Sequence, residues 1–234
     1  MGIEIAFRLN LVHGRCVGVR LPTEVDEGVL AGLVPDERKF VATLPPARHR
    51  SWVAGRFALR EAFRDLGIEP GPILPTPRGA PALPSDLAGS ISHKRTLAVG
   101  LAAHRENGAC IGVDLENCPP VLTSVEEARA QARPDVRTRV LTQDELKRLA
   151  CEPEKDHRRI VTLHFSLKEA LYKALAPFLN RHVGFHEASL IARPDGSVQI
   201  TLGLSKDDGS FLVAGTWTEV EDHFLSTARV QRTD

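Results

Sequence analysis

Two short stretches hold the side chains most able to do chemistry: Gly112-Val113-Asp114-Leu115-Glu116, and Phe165-Ser166-Leu167-Lys168-Glu169-Ala170-Leu171-Tyr172-Lys173. Together they supply three carboxylates (Asp114, Glu116, Glu169) and two lysines (Lys168, Lys173) from a strand and a helix. The apolar run Cys110 to Leu115 reads as a strand, on which residues two apart project from one face, so Asp114 and Glu116 share a side. Like charges held close repel unless something neutralises them. An oxygen-ligated Mg²⁺ would do so while leaving positions for phosphate oxygens and water. The plainer alternatives are acids at a turn, and for Glu169 and Lys173 an i, i+4 helical ion pair worth only ~0.3–0.5 kcal/mol. Spacing alone leaves both open.

Other candidates carry a bland reading beside a functional one. Arg56, Arg60 and Arg64 fall at i, i+4 and i+8 of one predicted helix and form a stripe. Balanced by Glu61 and Asp65, the stripe reads first as a solvated face; the competing reading is a phosphate-binding face, which suits the planar guanidinium fork. Ser92 and His93 invite a serine-hydrolase reading, but Gly89-Ser90-Ile91-Ser92-His93 breaks the G-x-S-x-G elbow at its last position. His93 taken alone fits a structural or merely exposed histidine. His182 and His186 are also i, i+4, yet Pro177 and Gly184 interrupt a helix there and no third ligand stands nearby, so zinc is not expected.

These residues need elements to hold them. Ile3 to Phe7 and Cys16 to Leu21 read as strands across a turn at His13-Gly14. A short helix is expected over Pro35 to Leu44, and a long one over Ala47 to Leu66, where Trp52, Leu59, Phe63 and Leu66 recur at helical spacing and Gly67 ends the run. Prolines and glycines crowd Glu69 to Leu87 and predict an ordered loop. Ser90 to His93 and Leu97 to Ala103 form a hairpin around Lys94-Arg95. The polar stretch Ala103 to Gly108 marks a boundary between an N-terminal half, 1–106, and a C-terminal half, 107–234. A peripheral helix is expected from Thr123 to Arg133, a capping box at Thr142-Gln-Asp-Glu145 opens a helix toward Ala150, and His157 to Phe178 is the longest amphipathic run. Strands follow over Ala188 to Ala192, Ser197 to Leu202, Phe211 to Thr218 and Phe224 to Val230. The fold class is α+β, with one dominant helix per half and no repeat visible in the residues.

Composition sets the remaining bounds. Of 234 residues, 42% are hydrophobic and 26% charged, the profile of a soluble globular protein. Thirty basic residues balance thirty acidic ones, which gives no support for nucleic-acid binding, although Arg48-His49-Arg50 is locally basic. No apolar run is long enough to span a bilayer, and the first residues lack a basic region followed by an apolar core. Cys16, Cys110, Cys118 and Cys151 form no C-x-x-C pair. A cytoplasmic protein with reduced thiols and no membrane association is expected.

Six motifs in order, Gly55-Arg56-Phe57-Ala58-Leu59-Arg60, Gly79-Ala80-Pro81, Gly89 to His93, Gly112 to Glu116, Leu141-Thr142 and Phe165 to Lys173, give the chain a resemblance to 4′-phosphopantetheinyl transferases. It resembles the larger, surfactin-type class, and within it the enterobactin-synthetase branch. The resemblance implies two similar α/β halves about a pseudo-twofold axis, with coenzyme A and Mg²⁺ in the cleft between them. By motif position, Asp114, Glu116 and Glu169 would be the metal ligands. Lys173 and Lys168 would face the pyrophosphate, Ser92 and His93 the coenzyme A phosphates, Arg56 and Arg60 the 3′-phosphate or diphosphate, and Arg78 the nucleotide phosphate. Phe165 stands where many relatives carry Trp, an aromatic exchange that touches nothing catalytic.

The implied reaction moves the phosphopantetheine arm to a serine of an acyl, peptidyl or aryl carrier protein and releases 3′,5′-ADP. Glu169, Lys173 and His93 are the expected catalytic residues, in a monomer. The carrier could belong to fatty-acid, polyketide or nonribosomal-peptide synthesis. Two other classes stay open at this point: a coenzyme-A-dependent acyltransferase, which would consume thioester, and a noncatalytic carrier-binding module, which would be expected to lose metal ligands.

Overall fold

The computed structural model describes residues 2–120, 134–179 and 181–233. The helix expected from Thr123 to Arg133 lies outside the described residues. The first hairpin pairs β1 (Ile5–Leu11) with β2 (Gly14–Arg20). β1 runs beyond the expected Phe7 because Phe7, Leu9 and Leu11 continue the alternation into a shared core. After α1 (Glu27–Leu30), α2 (Pro35–Val41) and α3 (Pro46–Arg64), the chain forms β3 (Leu87–His93) and β4 (Leu97–His104), and the sheet order is β1-β2-β4-β3.

The second half opens on β5 (Cys110–Asn117), continues through α4 (Pro134–Val140), α5 (Gln143–Leu149) and α6 (His157–Leu175), and returns as β6 (Ala188–Ala192), β7 (Ser197–Leu202), β8 (Phe211–Val220) and β9 (His223–Arg232). Its sheet order is β5-β9-β8-β7-β6, so the first strand pairs with the last. The expected capping box is present: Thr142 accepts from Glu145 N while Glu145 accepts from Thr142 N at 2.7 Å.

Each long helix, nineteen residues in both cases, crosses its own sheet. Ala54, Ala58, Ala62 and Phe63 of α3 pack with Val17, Val19, Ala98 and Ala102, while Leu167, Ala170, Leu171 and Ala174 of α6 pack with Phe224, Ala228 and Val230. The opposite faces of the two sheets meet each other, Cys16, Leu97, Val99 and Leu101 against Ile111, Val113, Leu115 and Leu225. The result is a helix–sheet–sheet–helix stack with β3 beside β5. Close approach on the second side depends on Gly112, where a Cβ would lie 1.9 Å from Ala170 O. Gly112→Ala should therefore lower stability by about 1–3 kcal/mol, read as a fall in the urea midpoint. An unchanged midpoint would show that α6 can shift without cost.

His13, at the turn between β1 and β2, crosses between the sheets and lies 2.9 Å from Thr227 Oγ1. Burial, with Arg229 adding to it, pulls its pKa from 6.5 down to about 4. The native state thus holds the neutral ring. Its contribution is complete above pH 6.5 and is lost as pH falls toward 4, a difference of about 3 kcal/mol. Urea unfolding at pH 7 and pH 4.5 should show that loss in the parent protein, and His13→Gln should flatten it.

Candidate active site

The junction of β3, β5 and α6 gathers most of the predicted residues. Asp114, on β5, is buried, and its Oδ1 accepts from Ser92 Oγ at 2.8 Å and from Lys173 Nζ at 2.7 Å. Lys173 also donates to Val113 O at 2.9 Å. Asp114 Oδ2 is buried with no hydrogen-bond partner. Glu116 pairs with Lys94 at 2.5 Å. Two serines stitch the halves where the strands do not form a backbone ladder: Ser90 Oγ accepts from Val113 N at 3.0 Å and Ser92 Oγ from Leu115 N at 3.3 Å.

Glu169 shares this field, but Lys173 forms its ion pair with Asp114 instead of with Glu169. Burial, and then the Asp114 charge, push the Glu169 carboxyl above its ordinary pKa, with Lys173 and Lys94 opposing. Glu116 is raised chiefly by burial, with Asp114 adding and the Lys94 hydrogen bond opposing. Glu116 and Glu169 therefore both feel the Asp114 charge. Among the described residues, however, no three His, Cys, Asp or Glu side chains stand close enough to form a ready metal cage. Lys94 and Lys173 supply the countercharge instead.

Around His93, at the exposed end of β3, cations collect. Burial and then Lys173, Lys94, Arg48 and Arg56 hold its imidazole below the usual histidine pKa. Arg56 is 8% exposed, stacks over the Trp52 ring at 4.4 Å, and has no carboxylate in an ion pair among the described residues. Burial, opposed by the Glu37 charge and with Arg48 adding to it, lowers its pKa to about 10. Glu37 spends its ion pair on Arg60, so this buried guanidinium, next to other cations, has no carboxylate paired to it directly and can receive an anion.

Other predicted ligands are placed elsewhere. Arg60, 2% exposed, donates to Glu37 Oε1 at 2.6 Å and Pro70 O at 3.0 Å. Lys168, 0% exposed, donates to Glu145 Oε2, Val140 O and Phe185 O at 2.7–2.8 Å. Both are held away from the β3–β5–α6 junction by a buried carboxylate and backbone carbonyls. Ser92 stays at the junction, where its hydroxyl donates to Asp114 and accepts from Leu115 N. Arg78 reaches across to Leu179 O at 2.6 Å and Ala176 O at 3.3 Å, tying the proline-rich loop to the end of α6. The arginine stripe is thus not one solvated face: Arg56 and Arg60 are buried, and only Arg64 fits that reading, paired with Glu61 and Glu69 at 2.8 Å. Arg48 and Lys94 were missed. Arg48 lies eight residues before Arg56, two turns away on the same side of α3, so the relevant stripe extends toward the N-terminus of the helix.

Models of two families match in succession, the 4′-phosphopantetheinyl transferase N-terminal domain over residues 36–103 and the 4′-phosphopantetheinyl transferase superfamily over residues 110–228. The chain belongs to the 4′-phosphopantetheinyl transferase superfamily. It is 30% identical to 4′-phosphopantetheinyl transferase Svp of Streptomyces mobaraensis over 74% of this chain and 66% of that protein. It is 28% identical to 4′-phosphopantetheinyl transferase Npt of Nocardia iowensis over 83% of this chain and 87% of that protein. A solved holo-ACP synthase from Plasmodium yoelii aligns at 15% identity over 53% of this chain and 94% of its own, with a TM-score of 0.40, an overlap too low to bear on function.

Proposed function

We propose that the protein transfers the 4′-phosphopantetheine arm of coenzyme A to a serine of a carrier protein, releasing 3′,5′-ADP, as a Mg²⁺-dependent cytoplasmic monomer of the surfactin-type, enterobactin-synthetase-like branch. The observation that carries the reading is the seam itself. Carboxylates from the second half (Asp114, Glu116, Glu169) face lysines from both (Lys94, Lys173), beside His93, which Arg48 and Arg56 also approach. The assignment of 1–106 and 107–234 as the two halves belongs to the same proposal. Membership of the superfamily supports it, and no described helix is long and apolar enough to cross a membrane.

The donor set fits a hard cation. The candidate ligands Asp114, Glu116 and Glu169 offer oxygen alone, and Asp114 Oδ2 is a buried acceptor without a donor. Mg²⁺ held there would offset the charge of the pyrophosphate. Lys173, released from Asp114, would stabilise the leaving phosphate, while Arg56 and His93 bind phosphate oxygens and fix the substrate. Glu169, with its raised pKa, is suited to accept the proton of the carrier serine directly or through water. Arg78, already bridging the halves, would lie on the nucleotide side.

Intact mass spectrometry of several apo carriers, incubated with the protein, coenzyme A and Mg²⁺, tests the class. A gain of one phosphopantetheine mass that chelator abolishes is the expected result. Acylation from an acyl-coenzyme A with the arm left on the nucleotide would identify an acyltransferase instead. For the binding side, Arg56→Ala should raise the apparent KM for coenzyme A by roughly tenfold or more, since a charge-assisted contact of about 1.5–3 kcal/mol is lost. Arg64→Ala, confined to exposed pairs, should leave it unchanged. Equal behaviour of the two variants would remove Arg56 from the site.

A further inference from the structure

Three buried oxygens on β5, α6 and β9 have no hydrogen-bond partner: Asp114 Oδ2, Ser166 Oγ and Ser226 Oγ. Asp114 is 4% exposed and both serines 0%. The β5–β9 register sets Asp114 directly opposite Ser226, so the two side chains leave one face of the sheet with Cβ atoms ~4.5–5.5 Å apart. That face looks at α6, because Gly112 on it meets the backbone of Ala170 and Ala174, and Phe224 and Ala228, two residues either side of Ser226, share the core of that helix. From Gly112, β5 runs toward the N-terminal part of α6, since Cys118, just past its end, lies beside Arg159 in the first turn of that helix. Ser166 sits there, one turn before Ala170 on the same stripe.

A lone unpaired hydroxyl in a core is costly, and most buried polar groups have a partner. Three of them at one junction, two on directly opposed residues, define a polar site for a small hydrogen-bonding molecule. Internal waters typically make about three such bonds. We propose that one internal water joins Ser226 Oγ to Asp114 Oδ2, with Ser166 as its third partner, and that Ser226 is thereby a positioning residue for Asp114. Ser92 and Lys173 hold Oδ1 from one side, and the water fixes Oδ2 from the other. The oxygen has two lone pairs, so one stays available for a cation.

Part of the test rests on the metal reading above, and part is independent of it. A high-resolution crystal structure of the parent protein should show a water within hydrogen-bond distance of both Asp114 Oδ2 and Ser226 Oγ; a dry site overturns the proposal whether or not a metal binds. Calorimetric titration of Mg²⁺ in the presence of coenzyme A supplies the second readout. Ser226→Ala and the shape-preserving Ser226→Cys should both raise the Mg²⁺ Kd by about tenfold, the size of effect usual for groups that orient a metal ligand, at parental melting temperature. Parental Mg²⁺ affinity in Ser226→Ala, or in Ser226→Cys alone, would reduce Ser226 to a packing residue and overturn the proposal. If the parent protein takes up no Mg²⁺, the metal reading fails and the crystallographic water alone decides the positioning role.

Discussion

Glu145→Ala should destabilise the protein by about 3–5 kcal/mol, because it strands Lys168, 0% exposed, as a buried cation whose remaining partners are carbonyls. The loss is compounded by backbone. Glu145 Oε1 accepts from Leu190 N at 2.7 Å and Oε2 from Thr142 N at 2.7 Å, and both donors would be orphaned. Combining Glu145→Leu with Lys168→Met should recover part of that energy by removing the cation, while the orphaned N–H groups keep the double variant below the parent. Urea unfolding of the single and double variants measures this. A single variant within 1 kcal/mol of the parent, given the usual scale for breaking a buried pair, would mean the site relaxes or admits water.

Asp114→Asn should remove transfer almost entirely, on the order of 10³-fold in kcat, while the melting temperature stays close to that of the parent. The amide keeps size and an acceptor for Ser92, but it removes the charge that holds Lys173 and that a hard cation requires. Glu116→Ala should be milder and partly rescued by excess Mg²⁺, since Glu116 sits at the more open end of β5 and Lys94 can turn to phosphate. The measurement is single-turnover modification of an apo carrier across a Mg²⁺ series. Activity within tenfold of the parent in Asp114→Asn would dismiss Asp114 as the central ligand.

Much of the scaffold was legible because its signals are local. Apolar spacing located α3 and α6, the Thr142-to-Glu145 pattern located the start of α5, and the Cys110-to-Leu115 run located β5. What could not be read was which cations are buried, because that depends on partners far along the chain. Arg60 finds Glu37 and Lys168 finds Glu145, each 23 residues away. Here lies the repeat that the residues alone did not reveal. In each half a glutamate at the third position of a seven-residue helix takes a buried cation from the nineteen-residue helix that follows and also accepts a distant backbone N–H, Ile73 N in one half and Leu190 N in the other. Arginine in one half and lysine in the other, with dissimilar neighbours, hide the correspondence from residue identity. Position and chemistry retain it.

Lys173 on Asp114 and Lys94 on Glu116 also bear on how such a site would load. A dication arriving by itself would compete with two ammonium groups, and a polyanion arriving by itself would face carboxylates across the seam. Arriving together, they allow an exchange of partners: ammonium turns to phosphate and carboxylate to cation, so the number of opposite-charge pairs is kept. Linkage then makes the effect mutual, each component raising the affinity for the other by the same factor. On that basis, a titration with either component alone would understate the affinity of the pair, and the shortfall would measure the work of parting each lysine from its acid.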